Sequence, residues 1–266
     1  MSDAGVVAAK AAVLGVVEGL TEFLPVSSTG HLIVAGRLLD FESPEFEIAI
    51  QLGAMLALTW VYRTRLLALA SDSARRPDAR LLVLKILAAF VPAALVGLAL
   101  HHWIEETLFR PGFVATTLIL GGILILAIDS PGRVGGLEDV ERMTFGQALA
   151  VGAGQTLSLL PGVSRSGATI LAGLLAGLTR RAALDFSFLL ALPTMYAACL
   201  FALWKARHDL AGSAGVAMAV GLLAAYASAL VVIRAFLRYV GDHSLHPFGW
   251  YRIAAGAAVL AWLFLG

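Results

Sequence analysis

Long uninterrupted apolar runs constrain this chain more than any other feature. Such runs approach the ~20 residues that an α-helix needs to cross a bilayer. They lie at about 46–62, 82–100, 113–129, 183–204, 214–236 and 248–265. Apolar residues run on continuously instead of alternating with polar ones, which favours helices over a barrel. Only 14% of residues are charged, whereas a soluble domain carries roughly 25%. The sequence therefore predicts an all-α integral membrane protein with six transmembrane helices.

The charges indicate an orientation and exclude one class of partner. A basic loop follows the first predicted span and is expected on the cytoplasmic side. Its arginines are Arg63, Arg65, Arg75, Arg76 and Arg80. The formal net charge is only +1, so we expect membrane lipid as a partner and no nucleic acid.

Two further apolar segments, residues 8–40 and 145–180, do not read as simple spans. Each is predicted to be two short helices broken at a proline, Pro25 in the first and Pro161 in the second. Each half is expected to be too short to cross, and the breaks are rich in polar residues. Non-helical backbone at membrane depth persists only where protein or a wet cavity satisfies its polar groups. We therefore predict two re-entrant helix hairpins.

The two broken segments match each other at a shift of 137 residues, about half the chain. The matching positions are Gly15 with Gly152, Leu20 with Leu157, Ser27 with Ser164 and Gly30 with Gly167. Three predicted spans separate the hairpins, and because three is odd, the second hairpin enters from the opposite face. We predict a single membrane domain over 1–266, built as an inverted-topology repeat of about 8–130 and 145–266.

Two carboxylates lie four positions apart, at Glu18 and Glu22, and so share one helical face. Like charges repel, and burial raises the cost of both ionised forms. A positive group is therefore expected between them. A salt bridge with Arg165 or Lys10 is one possibility. A hard divalent cation such as Mg²⁺ or Ca²⁺, held by oxygen ligands, is the other and the one we expect.

A run of hydroxyls and a histidine follow Pro25. Helix N-caps explain one or two hydroxyls, but the run includes Ser27, Ser28 and Thr29. His31 lies three residues after Ser28, within helical reach. A hydroxyl beside an imidazole is a nucleophile–base pairing, so this segment is predicted to carry chemistry.

The second break contains Arg165, an arginine predicted at membrane depth, where a charge is costly. Its planar fork of donors suits a phosphate group. Hydroxyl donors surround it at Ser164, Ser166 and Thr169. A helix is expected to begin after each break, so two helix N-termini are available to one anion. We predict that this break cradles phosphate.

Other polar residues are assigned lesser roles. Asp185 is expected to cap a helix at the membrane interface. His243, His246 and Arg252 are expected to flank a short cytoplasmic turn, also at the interface. Cys199 is expected to be a small core residue.

Two long motifs resemble the undecaprenyl pyrophosphate phosphatase family, the bacitracin-resistance type of integral membrane enzyme. They are EGLTEFLPVSSTGH at 18–31 and PGVSRSGAT at 161–169, and DFSFLLALPTM at 185–195 and the closing HPFGWYRI extend the similarity. The resemblance implies removal of the terminal phosphate from a C55 polyprenyl diphosphate, which recycles the lipid carrier for peptidoglycan and other envelope polymers. It further implies a divalent metal, the bacterial cytoplasmic membrane and a site facing the periplasm.

The resemblance carries roles onto this sequence residue by residue. Metal binding falls to Glu18 and Glu22. Catalysis falls to Ser28, His31, Glu22 and Arg165. Substrate binding falls to Ser27, Thr29, Ser164, Arg165, Ser166 and Thr169.

Several alternatives stay open at this point. Ser28 attacks with His31 or a glutamate as base, or His31 is itself the nucleophile, or water attacks directly. A lipid-phosphate transporter is the rival function, because inverted repeats with broken helices are typical of carriers. Small residues at Ala172-Gly173 and Ala176-Gly177 suit close helix packing, so a homodimer is a possible assembly.

Overall fold

A computed structural model describes residues 3–41, 43–130, 136–205 and 214–265, and within these ranges the protein is helical without β-strands. The helices are α1 (Asp3–Thr21), α2 (Ser28–Leu39), α3 (Pro44–Asp72), α4 (Pro77–Leu108), α5 (Pro111–Ile128), α6 (Phe145–Thr156), α7 (Arg165–Leu175), α8 (Arg180–Lys205), α9 (Ala214–Asp242) and α10 (His246–Leu265). Short 3₁₀ turns occupy Val140–Arg142 and Leu157–Leu159.

Six helices in the described ranges are long and apolar enough to cross a membrane. Their spanning stretches are Ala4–Thr21, Pro77–Leu100, Pro111–Ile128, Arg180–Phe201, Gly215–Asp242 and His246–Leu265. The last five confirm five of the predicted spans. The prediction of an all-α, multi-pass membrane protein is therefore confirmed.

The sixth span differs from the prediction. The predicted span 46–62 lies inside α3, which is 29 residues long but is not among the six by length and apolar composition. Instead α1 qualifies, with 19 residues. The prediction that both halves of segment 8–40 are too short to cross is wrong for the first half. Lys10 does not interrupt the helix, which ends only when the chain reaches the turn around Pro25.

The two predicted breaks are confirmed as breaks in the helices. The first spans the turn between Thr21 and Ser28, and the second includes a 3₁₀ turn at Leu157–Leu159 and a left-handed glycine, Gly162, with φ 86°. The helices beside them, α2, α6 and α7, have 12, 12 and 11 residues. These three are shorter than the ~20 residues of a span.

Close helix contacts bring distant parts of the chain together. α1 packs along α9, α6 along α4, and α10 along α5. Gly15 faces the backbone of Gly221 in α9, and Gly152 faces Ala89 in α4, so closely that a Cβ at either glycine overlaps the facing carbonyl group. Glycine is required at both positions because only a hydrogen fits between the backbones.

α8 is the most buried of the spanning helices and runs through the interior. Its spanning stretch is 56% buried, against 17–33% for the other five. Asp185 in its second turn accepts hydrogen bonds from Tyr62 and Arg65 of α3. The prediction that Asp185 caps a helix is wrong, because Thr179 caps α8 through its hydroxyl oxygen.

Candidate active site

The two breaks meet inside the protein. The carbonyl oxygen of Leu24 in the first break accepts hydrogen bonds from Ser166 Oγ at 2.9 Å and Ser164 Oγ at 3.3 Å in the second. α2 begins at Ser28 and α7 begins at Arg165, so both short helices start at this junction. Two helix N-termini therefore lie beside the meeting point, as predicted.

Arg252 of α10 holds both breaks against α5. Its guanidinium donates to Pro25 O at 3.3 Å in the first break and to Gly162 O at 3.1 Å in the second. It also donates to the carbonyls of Thr117 and Leu118 in α5. Only 2% of Arg252 is exposed. The prediction of an interfacial residue is wrong, because Arg252 lies within a spanning helix and satisfies carbonyls that the helix breaks leave free.

Glu22 joins one group from each half of the chain. Its Oε1 accepts from Arg165 Nη2 at 2.9 Å, and its Oε2 accepts from Ser28 Oγ at 2.6 Å. All three side chains are buried. A carboxylate that accepts a short hydrogen bond from a serine hydroxyl is placed to remove its proton, and the guanidinium fixes the carboxylate in position.

Polar atoms without partners remain at the same place. Within the described chain, both carboxylate oxygens of Glu18 and the Nε and Nη1 of Arg165 are buried without a hydrogen-bond partner. Glu18 lies one helical turn before Glu22, whose amide donates to its carbonyl. Buried polar groups are rarely left unsatisfied. Free guanidinium donors suit an anion and free carboxylate oxygens suit a cation, so the site has capacity for both.

His31 does not pair with Ser28. Its Nδ1 lies 2.7 Å from the carbonyl oxygen of Ser27, and its Nε2 lies 2.6 Å from the hydroxyl of Tyr251. Burial lowers the pKa of the His31 imidazole below its ordinary value, which favours the neutral ring at pH 7. His31 lies on α2, which is not one of the six candidate spanning helices, and its ring is held by Ser27 and Tyr251 beside the first break.

Three of the five hydroxyls predicted to bind substrate, those of Ser164, Ser166 and Thr169, are close to this site and already have protein partners. Ser164 caps α7 by accepting from the Gly167 amide and also contacts Ser166. Thr169 donates to the Arg165 carbonyl and contacts Ser187 of α8 at 2.6 Å. Ser27 precedes α2 without making a side-chain cap, and Thr29 is partly buried in its first turn. Their roles as phosphate ligands stay predictions.

The alternatives for the acidic pair are partly resolved by geometry. Arg165 forms the salt bridge with Glu22, while Lys10 donates to the Asp40 carbonyl. Glu18 is paired with neither. The described residues contain no ready-made cluster of three metal-ligating acidic, His or Cys side chains. Carboxylate oxygens are hard donors of the kind that Mg²⁺ and Ca²⁺ take, and the two partnerless oxygens of Glu18 make the pair compatible with such a cation.

Tyr251 and Arg252 were not predicted to belong to the site. The sequence alone could have pointed to Arg252, because a charge inside the apolar run 248–265 is costly unless it has a function or partners. Nothing in the local sequence points to Tyr251, since its contact with His31 joins positions 220 residues apart.

These features define a class of protein. The fold is that of a multi-pass helical membrane protein, and its buried junction combines a serine, a carboxylate and an arginine, whose guanidinium is suited to a phosphate group. Residues 11–258 match the family model described as bacitracin resistance protein BacA. The chain belongs to this family.

Similar proteins cover nearly the whole chain. Undecaprenyl-diphosphatase 2 of Rhodospirillum rubrum is 48% identical over 256 residues, which cover 95% of this chain and 93% of that protein. Undecaprenyl-diphosphatase of Ectopseudomonas mendocina is 47% identical over 95% of this chain and 92% of its own length. The Bordetella avium protein of that name is 43% identical over 99% of both.

Proposed function

We propose that this protein is an undecaprenyl-diphosphatase that converts a C55 polyprenyl diphosphate into the monophosphate lipid carrier and inorganic phosphate. The main structural support is a buried hydrogen-bond network in which Glu22 accepts from Arg165 at 2.9 Å and from Ser28 at 2.6 Å. The names of the similar proteins support the substrate. Recycling of the carrier for envelope polymers, and with it bacitracin resistance, follows from the same activity.

In the proposed mechanism, Ser28 Oγ attacks the terminal phosphorus and Glu22 accepts the serine proton. An oxygen–phosphorus bond forms at Ser28, while the bond from phosphorus to the bridging oxygen breaks and releases the lipid monophosphate. Water then hydrolyses the phosphoserine, which frees phosphate and restores the hydroxyl. Arg165 offsets negative charge on the transferring phosphoryl group through its free Nε and Nη1 donors.

Glu22 is favoured over His31 as the base for Ser28. The serine hydroxyl already donates to Glu22, whereas both ring nitrogens of His31 have other partners. For the same reason the mechanism with His31 as nucleophile is not favoured by this geometry. Direct attack by water on the phosphorus is the competing mechanism. It forms no phosphoserine, so trapping a phosphorylated Ser28 distinguishes the two mechanisms.

Glu18 and Glu22 are the residues that would hold a divalent cation, Mg²⁺ or Ca²⁺. When bound, such an ion lowers the cost of concentrating phosphate charge near two carboxylates. Glu18 supplies two buried oxygens without partners. Glu22 contributes as ligand or base, and Ser27, Thr29, Ser164, Ser166 and Thr169 are assigned to the surrounding phosphate-binding wall.

We also propose the inverted repeat, with re-entrant segments 8–40 and 145–180. Because α1 is long enough to cross, the re-entrant assignment of 8–40 rests on the helix break at Pro25 and not on helix length. In the described ranges each half has five helices, α1–α5 and α6–α10, and from the second to the fifth the corresponding helices are similar in length, whereas α1 is longer than α6. The first helix of each half packs on the fourth helix of the other half. Gly15 and Gly152, which the shift of 137 residues superimposes, both lie at these crossings. This correspondence supports repeats of about 8–130 and 145–266.

The proposed location is the bacterial cytoplasmic membrane, with the site opening to the periplasm. The turn from α3 to α4, which contains Arg75 and Arg76, would then lie on the cytoplasmic side. A homodimer stays a prediction. Of the small residues that suggested it, Gly173 packs against Ala183 of its own chain.

The test is phosphate release from a detergent-dispersed polyprenyl diphosphate by purified protein, with and without EDTA. We expect one phosphate per substrate, with the monophosphate lipid as the second product and loss of turnover in EDTA. Folded protein that binds the lipid without releasing phosphate would contradict the proposal and favour the transporter. The Ser28–Glu22 hydrogen bond favours hydrolysis, because a carrier needs no activated nucleophile.

A further inference from the structure

Tyr251 contacts the candidate site from a helix that carries none of its predicted residues. Its hydroxyl lies 2.6 Å from His31 Nε2, and the phenol and imidazole planes are within 4° of parallel with centroids 5.6 Å apart. Tyr251 is 47% exposed. A polar contact of this length at an open position adds little to core packing, so it requires another explanation.

The two hydrogen bonds of the His31 ring are consistent with only one neutral tautomer. Ser27 O is a carbonyl oxygen and can only accept, so the hydrogen bond at Nδ1 requires a proton on that nitrogen. In the neutral ring, Nε2 is then the acceptor and the Tyr251 hydroxyl is the donor. Tyr251 and Ser27 together hold a single tautomer and ring orientation.

The hydrogen bond from His31 Nδ1 is accepted by Ser27, a residue with a strained backbone conformation. Ser27 has φ 70° and ψ 97°, a positive-φ conformation that residues other than glycine seldom adopt. Ser27 immediately precedes Ser28, whose hydroxyl reaches Glu22. Strain of this kind persists only where surrounding contacts hold it. The described contact to the Ser27 carbonyl is the imidazole of His31.

We propose that Tyr251 is a positioning residue for the hydrolysis. Its hydroxyl holds His31, His31 holds the Ser27 carbonyl, and the strained turn at Ser27 directs the Ser28 hydroxyl to Glu22. Arg252, the next residue of α10, fixes that helix to both breaks, so Tyr251 is presented from a rigid support. This inference rests on the proposed function, because it assigns Ser28 as the nucleophile.

The test compares Tyr251→Phe with the control Tyr239→Phe in the full-length purified protein. Both variants remove one hydroxyl, and the Tyr239 hydroxyl donates to the Ser244 carbonyl at 3.0 Å, away from the site. We expect Tyr251→Phe to lower kcat by about tenfold, the effect of one lost hydrogen bond, with KM and the melting temperature unchanged. Tyr239→Phe should retain the wild-type kcat.

A second readout is spectroscopic. The ¹⁵N chemical shifts of the His31 ring should report the Nδ1–H tautomer in both proteins, because the Ser27 carbonyl remains, and the Nε2 shift should change in Tyr251→Phe because the hydrogen bond from the phenol is lost. Unchanged kcat and unchanged ring shifts would overturn the inference. A higher KM together with a lower melting temperature would also overturn it, because that pair of effects indicates packing. Wild-type protein without phosphatase activity would instead contradict the proposed function, whatever the His31 tautomer.

Discussion

Glu22 and Arg165 lie 143 positions apart in the chain and form a buried ion pair, with Oε1 and Nη2 2.9 Å apart. Removing two charges from water is expensive, and their attraction alone seldom repays that cost. The pair stands where the two helix breaks meet, and Glu22 also accepts from Ser28. The proposed function gives a reason for retaining these charges, since the pair links the arginine proposed to bind phosphate to the proposed nucleophile.

Arg165→Lys tests whether the guanidinium fork is required. A lysine keeps the positive charge beside Glu22 but loses the free Nε and Nη1 donors of the arginine. We expect a folded protein whose kcat falls by about 100-fold, the usual effect of removing one donor to a developing negative charge. Steady-state phosphate release checks this, and a lysine variant with wild-type kcat would contradict the role given to the fork.

Glu18→Gln should separate stability from activity. The Glu18 carboxylate is buried without partners, one turn from Glu22, so removing its charge relieves desolvation and repulsion. We expect a higher melting temperature in EDTA together with a greater cation concentration for half-maximal turnover. Asp78→Asn, an exposed carboxylate in the first turn of α4, is the control and should change neither quantity in that way. A Glu18→Gln protein with the cation requirement of the wild type would exclude Glu18 as a metal ligand.

Arg252→Lys should destabilise the whole fold. A lysine ammonium cannot reach all four carbonyls that Arg252 serves in α5 and the two breaks. Unsatisfied buried carbonyls cost about 1–3 kcal/mol each, so the melting temperature should fall by roughly 10 °C. The matched change Arg238→Lys, at an exposed position of α9, should have no such effect. Equal melting temperatures for the two variants would contradict the structural role of Arg252.

Gly15→Ala and Gly152→Ala should both weaken helix packing. A methyl group at either position overlaps the carbonyl of the facing helix, and overpacking of this kind costs about 1–3 kcal/mol. Gly241→Ala is the control, because nothing lies within 4 Å of a Cβ there and alanine favours a helix. Unfolding measurements should show losses at Gly15 and Gly152 and a small gain at Gly241. Wild-type stability of both variants would contradict the close contacts of α1 with α9 and of α6 with α4.

Sequence patterns formed by residues close together in the chain predicted much of this fold. Five spans follow from apolar length alone, and the breaks follow from Pro25 and Pro161. Contacts between distant residues explain what was missed. Helical spacing brought His31 within reach of Ser28, but the Ser28 side chain turns back across the break to Glu22. The burial of Arg252 depends on carbonyls contributed by three separate segments, which no local pattern contains.

Trapping the covalent intermediate tests the central claim most directly. Substrate labelled with ³²P in the terminal phosphate is mixed with the protein, quenched in acid during the first turnovers and mapped by peptide. We predict label on Ser28, lost in Ser28→Ala, and slower formation of the label in Glu22→Gln. Label on His31, or a Ser28→Ala protein that turns over at the wild-type rate, would contradict the mechanism.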